Sequence, residues 1–295
     1  MSNRKNEYIK TSLEKVEAVP ILKIPNSKLH LYQRNILPYL GFYNIDNDRG
    51  EIIENAKVEV QDTTVKHKNS VFKACRILDN HLPDLFDEIN LTNRGVMAFN
   101  NTRVFCFVTM QAHGDIFLSC IPENDEVFFV EELIHQCSHN TFNLLLYDKE
   151  SLFKVDIERE ILGHHINRIN EKRTIYSAIH GLFTVAKRYE AFYFLYRMNI
   201  FDGRQKHEFL GRIADLRKRF RTGLELLPFS SIFTDKGMHL YEAIDKNCLE
   251  YTLKLSHLDS VFDLSNQPQE FSYALFEELN PFVKFEKELS YYPLK

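Results

Sequence analysis

The chain has 295 residues, 44% of them hydrophobic, enough to bury a sizeable core in one large or two small domains. Its 41 acidic and 37 basic side chains leave a net charge of −4, which gives no general pull towards nucleic acid or anionic membrane. The opening MSNRKNEYIK is too polar for a secretory signal, no apolar run approaches the ~18 residues of a membrane span, and five scattered cysteines form no disulfide framework, so the expected setting is reduced and cytoplasmic.

Residues 1–60 mix short helical patterns with breaks at Pro20, Pro25 and Pro38. Residues 65–89 place Phe72, Cys75, Leu78, Leu82, Leu85 and Phe86 near helical spacing, with Pro83 as the point where the helix can divide. The character then changes. Gly95–Phe99, Val104–Thr109 and Ile116–Ile121 are short apolar runs rich in strand formers, punctuated by Asn100-Asn101 and by Ala112-His-Gly-Asp115, with His113-Gly114 as a hairpin turn. They predict a small antiparallel sheet. From Asp125 onward the pattern is helical, over about 125–147, 151–170, 173–199, 203–225, 233–257 and 267–279. The expected class is α+β and predominantly helical, a small antiparallel sheet followed by a helical bundle. In chain order, 1–93 is a mainly helical segment, 94–200 holds the sheet and the candidate metal-binding helices, and 201–295 is helical again, all within one compact domain.

The stretch Glu132-Leu-Ile-His-Gln-Cys-Ser-His-Asn-Thr-Phe142 carries the chemistry. Phe128, Phe129, Val130, Leu133, Ile134, Phe142, Leu145 and Leu146 make its helix apolar around much of its circumference, so it should be buried. His135 and His139 stand at i and i+4, a spacing that aims both imidazoles from one face at one point, as metal chelation requires. The plain alternative is a pair of core histidines hydrogen-bonded to neighbours. Cys137 points off their face. A third donor could come from His180, in the apolar stretch Arg173–Phe183, or from His164-His165. Gln136 occupies the place where a zinc peptidase keeps its glutamate base. An amide takes no proton at neutral pH, which argues against an ordinary hydrolase but leaves metal binding and Fe(II)–dioxygen chemistry open.

Taken together, His135-Gln-Cys-Ser-His139, Arg173 with Ala178-Ile-His-Gly-Leu-Phe183, and Thr234-Asp-Lys-Gly237 resemble, in order and spacing over roughly residues 95–245, the HExxH-motif peptide-modification proteins. Gln136 departs from the motif glutamate, and Thr174 stands where a proline is expected. The resemblance implies Fe(II)- and 2-oxoglutarate-dependent hydroxylation, at a β-carbon, of a ribosomally made precursor peptide. It implies His135, His139 and His180 as the metal ligands, with Gln136 hydrogen-bonding near the metal rather than moving a proton. A keto-acid cosubstrate needs a cation, and the planar fork of an arginine suits its carboxylate: Arg173, seven residues before His180, or Arg188, eight after. The plain alternative for either is a helix-surface salt bridge. The basic run Arg217-Lys-Arg-Phe-Arg221 is ordinarily a solvated helix face and could also meet an acidic part of a peptide; nucleic acid is discounted. The alternatives are a zincin-like metallohydrolase on the same histidines, a catalytically silent peptide-binding module, and a purely structural helical protein.

Overall fold

The computed structural model describes residues 19–41, 44–46, 52–54, 58–101, 103–225, 230–268 and 270–286; expectations for residues 1–18 and for the stretches between these lie outside the described residues. The expected class holds: strands come first, helices follow, and helix predominates. The chain forms two compact units, Met1–Thr141 and Phe142–Lys295.

The first unit is built on a four-stranded sheet of order β1-β2-β5-β6, formed by Ile21–Lys23, His30–Tyr32, Gly95–Phe99 and Asp115–Ser119. A separate two-stranded antiparallel pair joins β3 (Asn44–Asp46) and β4 (Ile52–Glu54). Only β1 and β2 of the main sheet run antiparallel; β2–β5 and β5–β6 are parallel, with Gly95 opposite Asp115 and Phe99 opposite Ser119. The sheet is therefore mixed, not antiparallel as expected. The reason lies in the run Val104–Thr109, which forms no strand. It touches β6 through one bridge, Phe107 to Phe117, their rings stacked at 4.6 Å. The connection then returns to the start of the sheet, and Gly114, at φ +93°, turns the chain into β6. The segment before residue 60, expected to be helical, instead contributes β1 and β2. Strands of three residues are too short to show a period of two, and long-range pairing creates them.

All five residues of β5 are buried, as are four of the five in β6. By alternation Met97, Phe99 and Phe117 share one face, where they pack with Tyr32, Ile36, Leu37 and Val60. Helix α1 (Gln61–His81) packs against β5 and is followed by α2 (Pro83–Thr92), which Pro83 opens at its first turn. Helix α3 (Glu126–Leu145) follows β6, and the unit boundary falls within it.

The second unit contains α4 (Leu162–Ile166), α5 (Ile175–Met198), α6 (Gly203–Glu225), α7 (Asp235–Lys254), α8 (Tyr273–Leu279) and α9 (Phe282–Glu286). The helix expected over 151–170 is mostly turns. Its backbone finds distant partners instead of i−4 carbonyls: Lys154 N–H bonds Ile232 O, Leu162 N–H bonds Arg173 O, and the Tyr176 N–H reaches back to Ile157 O. Gly163 permits this, because a Cβ there would lie 2.3 Å from Glu171 O and 2.5 Å from Arg168 O. Helix α5 begins at Ile175 rather than 173. Its N-cap is Thr174, whose Oγ1 accepts from Ser177 N–H at 3.1 Å, so the residue that replaces the expected proline is a working cap.

Candidate metal centre

Helix α3 is held in the first unit by polar contacts at both ends. Glu126 in its first turn bonds Lys73 Nζ at 2.9 Å. Asn140 Nδ2 donates to Asn93 Oδ1 at 2.7 Å, and Thr141 Oγ1 lies 3.2 Å from Thr92 Oγ1, so the helix is latched to the end of α2. Beside this latch Asp115 is fully buried and takes the Arg94 fork (3.2 and 2.9 Å) and the Tyr32 hydroxyl (3.1 Å). Gly95 makes room for it: a Cβ would stand 2.4 Å from Asp115 Oδ1.

Between these fastenings His135 and His139 share one face of α3 as expected, ring centroids 4.8 Å apart and tilted by 42°. Both are half-buried, and the residues around them, 129–134 and 136–138, are buried. The residue sequence reasoning missed is Glu132. It is 7% exposed, and its Oε2 lies 3.5 Å from His135 Nδ1 and accepts from Gln136 Nε2 at 3.0 Å. Its signal was in the spacing, three residues before His135 and four before Gln136, where helical side chains meet. A carboxylate at Nδ1 favours the tautomer whose Nε2 carries the lone pair, the usual outer partner of a metal-bound imidazole. Gln136 is 1% exposed; its Nε2 also lies 3.3 Å from His135 Nδ1, and its Oε1 is buried with no partner. Leaving an amide oxygen unpaired costs on the order of 1–3 kcal/mol, which a donor on a bound ligand would recover. Cys137 is buried, and burial holds its thiol well above the usual range, so it offers no thiolate.

His180 lies on α5 in the second unit, half-buried, stacked on Tyr176 at 5.0 Å and 5.4 Å from the Phe142 ring. The competing pair lies on α4: His165 Nε2 is 2.7 Å from Glu160 Oε2, and His164 is exposed. Arg173 precedes the cap of α5 instead of sitting on the helix. It is exposed, and Glu171 takes both arms of its fork at 2.9 and 2.7 Å, which raises the Arg173 pKa and lowers that of Glu171. A cosubstrate carboxylate would have to displace Glu171 there. Arg188 lies two turns beyond His180 on α5, half-buried, with Nε 3.4 Å from Thr184 O. Among the described residues no group of three or more His, Cys, Asp or Glu side chains is gathered as a metal site. What α3 offers is two imidazole nitrogens with a carboxylate behind one of them. Imidazole nitrogens suit iron, zinc, copper and nickel alike, so the pair by itself selects no single one of these metals.

Thr234–Gly237 is a fastening within the second unit. Thr234 Oγ1 accepts from Gly237 N–H at 3.1 Å and donates to Ser151 O at 2.6 Å, while Thr234 N–H bonds Leu152 O at 3.0 Å. Glycine is required because a Cβ at position 237 would stand 2.0 Å from Leu152 O. Half of the basic run of α6 is likewise built into the unit, while Lys218 and Arg221 stay exposed. Arg217 is buried, bonds Asp259 and donates Nε to Thr252 O; Arg219 bonds Asp215 at 2.6 Å and Pro268 O at 2.8 Å. No helix among the described residues is long and apolar enough to cross a membrane. No protein-family model matches the chain, and no curated protein matches its sequence.

Proposed function

We propose that this protein is an Fe(II)- and 2-oxoglutarate-dependent hydroxylase acting at a β-carbon of a ribosomally made precursor peptide. One observation carries the metal part: two imidazoles a single turn apart on a buried helix, one of them backed by the buried carboxylate of Glu132. His135 and His139 would hold the metal, and the resemblance implies His180 as the third donor. When bound, Fe(II) supplies dioxygen activation, with the keto acid as the source of two electrons. Glu132, 3.5 Å from His135 Nδ1, is the carboxylate that would take the proton of that nitrogen and leave Nε2 to the metal. Gln136 serves as a donor to Glu132 and cannot act as a general base, which favours oxidation over hydrolysis. Arg188 or Arg173 anchors the distal carboxylate of the cosubstrate; Arg173 does so only by exchanging Glu171 for it.

Metal content and cosubstrate binding test this under anaerobic conditions. Wild type should take up about one Fe(II) per chain, by analogy with facial-triad sites. 2-Oxoglutarate, followed by equilibrium dialysis, should bind only when Fe(II) is present. Alanine at His135, His139 or His180 should each reduce occupancy sharply, and Glu132→Gln should weaken affinity by roughly 10–100-fold. With dioxygen and a precursor peptide the protein should form succinate and add one oxygen atom to the peptide. Peptide cleavage without succinate in a zinc-loaded sample would replace the hydroxylase by a metallohydrolase.

A further inference from the structure

Helix α6 is covered on two sides of different character. Its apolar side meets α5, with Phe209 4.8 Å from Phe192 and Phe220 5.8 Å from Tyr189. Its other side carries Arg204, Glu208, Arg212, Asp215 and Arg219 at spacings of three and four residues, the pattern of a solvated stripe. The charges on that stripe pair within the helix: Glu208 takes Arg212 Nε and Nη2 at 3.0 and 2.7 Å, and Asp215 takes Arg219 Nε at 2.6 Å. Glu208, Arg212 and Asp215 are nevertheless buried, because the segment from Phe262 to Glu286, which contains α8 and α9, lies over them. Arg212 stands over the Phe271 ring at 4.8 Å, Arg204 over the Tyr273 ring at 4.2 Å, and Arg219 Nη2 donates to Pro268 O at 2.8 Å.

This segment also closes on itself. Asp263 N–H donates to Asn280 Oδ1 at 2.9 Å, Asn280 Nδ2 donates to Asp263 O at 2.7 Å, and Ser272 N–H donates to Gln267 Oε1 at 3.0 Å. Its rings form a cluster of their own, with Phe276 5.1 Å from Phe262 and 5.4 Å from Phe271, and Phe285 5.3 Å from Phe262. Helix α6 inserts His207 into that cluster, and Gly211, one turn on, leaves room for Phe276, whose ring a Cβ would approach to 2.6 Å. His207 lies 4.9 Å from Phe276 and 5.4 Å from Phe285; its Nδ1 is 3.0 Å from the Tyr273 hydroxyl, and its Nε2 has no partner. The charged and titratable groups around it are Arg204 and Glu208 on α6 and Tyr273 and Lys284 on the segment. Glu208 is bonded by Arg212 and lies 3.8 Å from Arg204, and Lys284 stands over the far ring, Phe285. The segment's Asp263, Glu278 and Glu286 are exposed, and Glu277 is half-buried.

We propose that the segment from Phe262 to Glu286 is a strap that leaves α6 as one body when His207 takes a proton, while the helices beneath it stay folded. Departure returns to water a stripe whose charges are already paired within α6, and this offsets part of the ring contact that is lost. The apolar side of α6 remains against α5 throughout. Burial in the docked strap holds the His207 pKa at about 4, whereas the ring freed by departure titrates near its ordinary 6.5. Acid between those values therefore favours the open strap.

Hydrogen exchange of the full chain, corrected for the intrinsic rate at each pH, tests this. At pH 7.5 the amides of α8 should be at least tenfold less protected than those of α5, since the strap opens without the helices. Between pH 7.5 and pH 5.0 their protection should fall roughly 30-fold in wild type. In His207→Phe, which keeps a ring in the socket and takes no proton, it should change less than threefold. If that variant does not fold, His207→Asn takes its place. Protection of α8 equal to that of α5, no fall in wild type, or an equal fall in the variant overturns the strap. No metal, cosubstrate or turnover is read, so the result is independent of the hydroxylase reading.

Discussion

His207, through its burial, should make stability depend on pH. It is fully buried on α6, ringed by Phe262, Tyr273, Phe276, Phe282 and Phe285 at centroid distances of 4.9–6.0 Å. Its Nδ1 lies 3.0 Å from the Tyr273 hydroxyl, its Nε2 has no partner, and Arg204 lies over the Tyr273 ring at 4.2 Å. Burial, with a smaller contribution from Arg204, lowers its pKa from 6.5 to about 4. Above pH 6.5 the imidazole is neutral in both folded and unfolded chains. As pH falls below 6.5 the unfolded chain takes up a proton that the native ring refuses until about pH 4, so stability drops across that window and levels off beneath it. The loss is about 2 kcal/mol at pH 5 and on the order of 3 kcal/mol at pH 4. Urea unfolding at pH 7.5 and pH 5.0, followed by circular dichroism, measures it for wild type, His207→Phe and His207→Asn. Groups other than residue 207 are common to the three chains and cancel in the comparison. Wild type should lose about 2 kcal/mol more than either variant between the two pH values. An equal loss would refute the neutral, desolvated His207.

Gly237→Ala forces the Leu152 carbonyl away from the new Cβ and should cost about 1–3 kcal/mol, read as a lower melting temperature; an unchanged melt would refute the close approach. Thr234→Val removes the cap of α7 and the bond to Ser151 O and should cost about 1–2 kcal/mol in the same assay. Gln136→Glu sets a second carboxylate at hydrogen-bond distance from Glu132, so one of the two keeps its proton to higher pH. The variant should be less stable than wild type at pH 8, with the difference shrinking as pH falls towards 4; a difference that does not change with pH would refute the Glu132–Gln136 contact. Asp115→Asn leaves the Arg94 fork without its counter-charge and Tyr32 with a weaker acceptor; since Arg94 is half-exposed, a loss of about 1–3 kcal/mol is expected in urea unfolding.

The histidine pair was legible because helical spacing is a local property: i and i+4 lie on one face wherever the helix sits, and α3 is apolar enough to be recognised. Glu132 could have been found by the same spacing, but its carboxylate resembled an ordinary surface charge until burial was known. The Asp115–Arg94–Tyr32 cluster and the Asn140–Asn93 latch left no such trace, because their members lie far apart in sequence and meet only through sheet pairing and helix packing.

By itself the sequence determined the long helices, which rest on 3.6-residue periodicity and local caps, and the α+β order in which they follow the strands. Tertiary structure alone decided which runs became strands and in which direction. Ile21–Lys23 and His30–Tyr32 are strands because β5 offers His30 and Leu31 a partner, and Val104–Thr109 is not, because β5 and β6 pair directly and in parallel. Tertiary structure likewise divided the charged run of α6: Arg217 is buried against Asp259 and Thr252 O and Arg219 half-buried against Asp215 and Pro268 O, while Lys218 and Arg221 stay exposed.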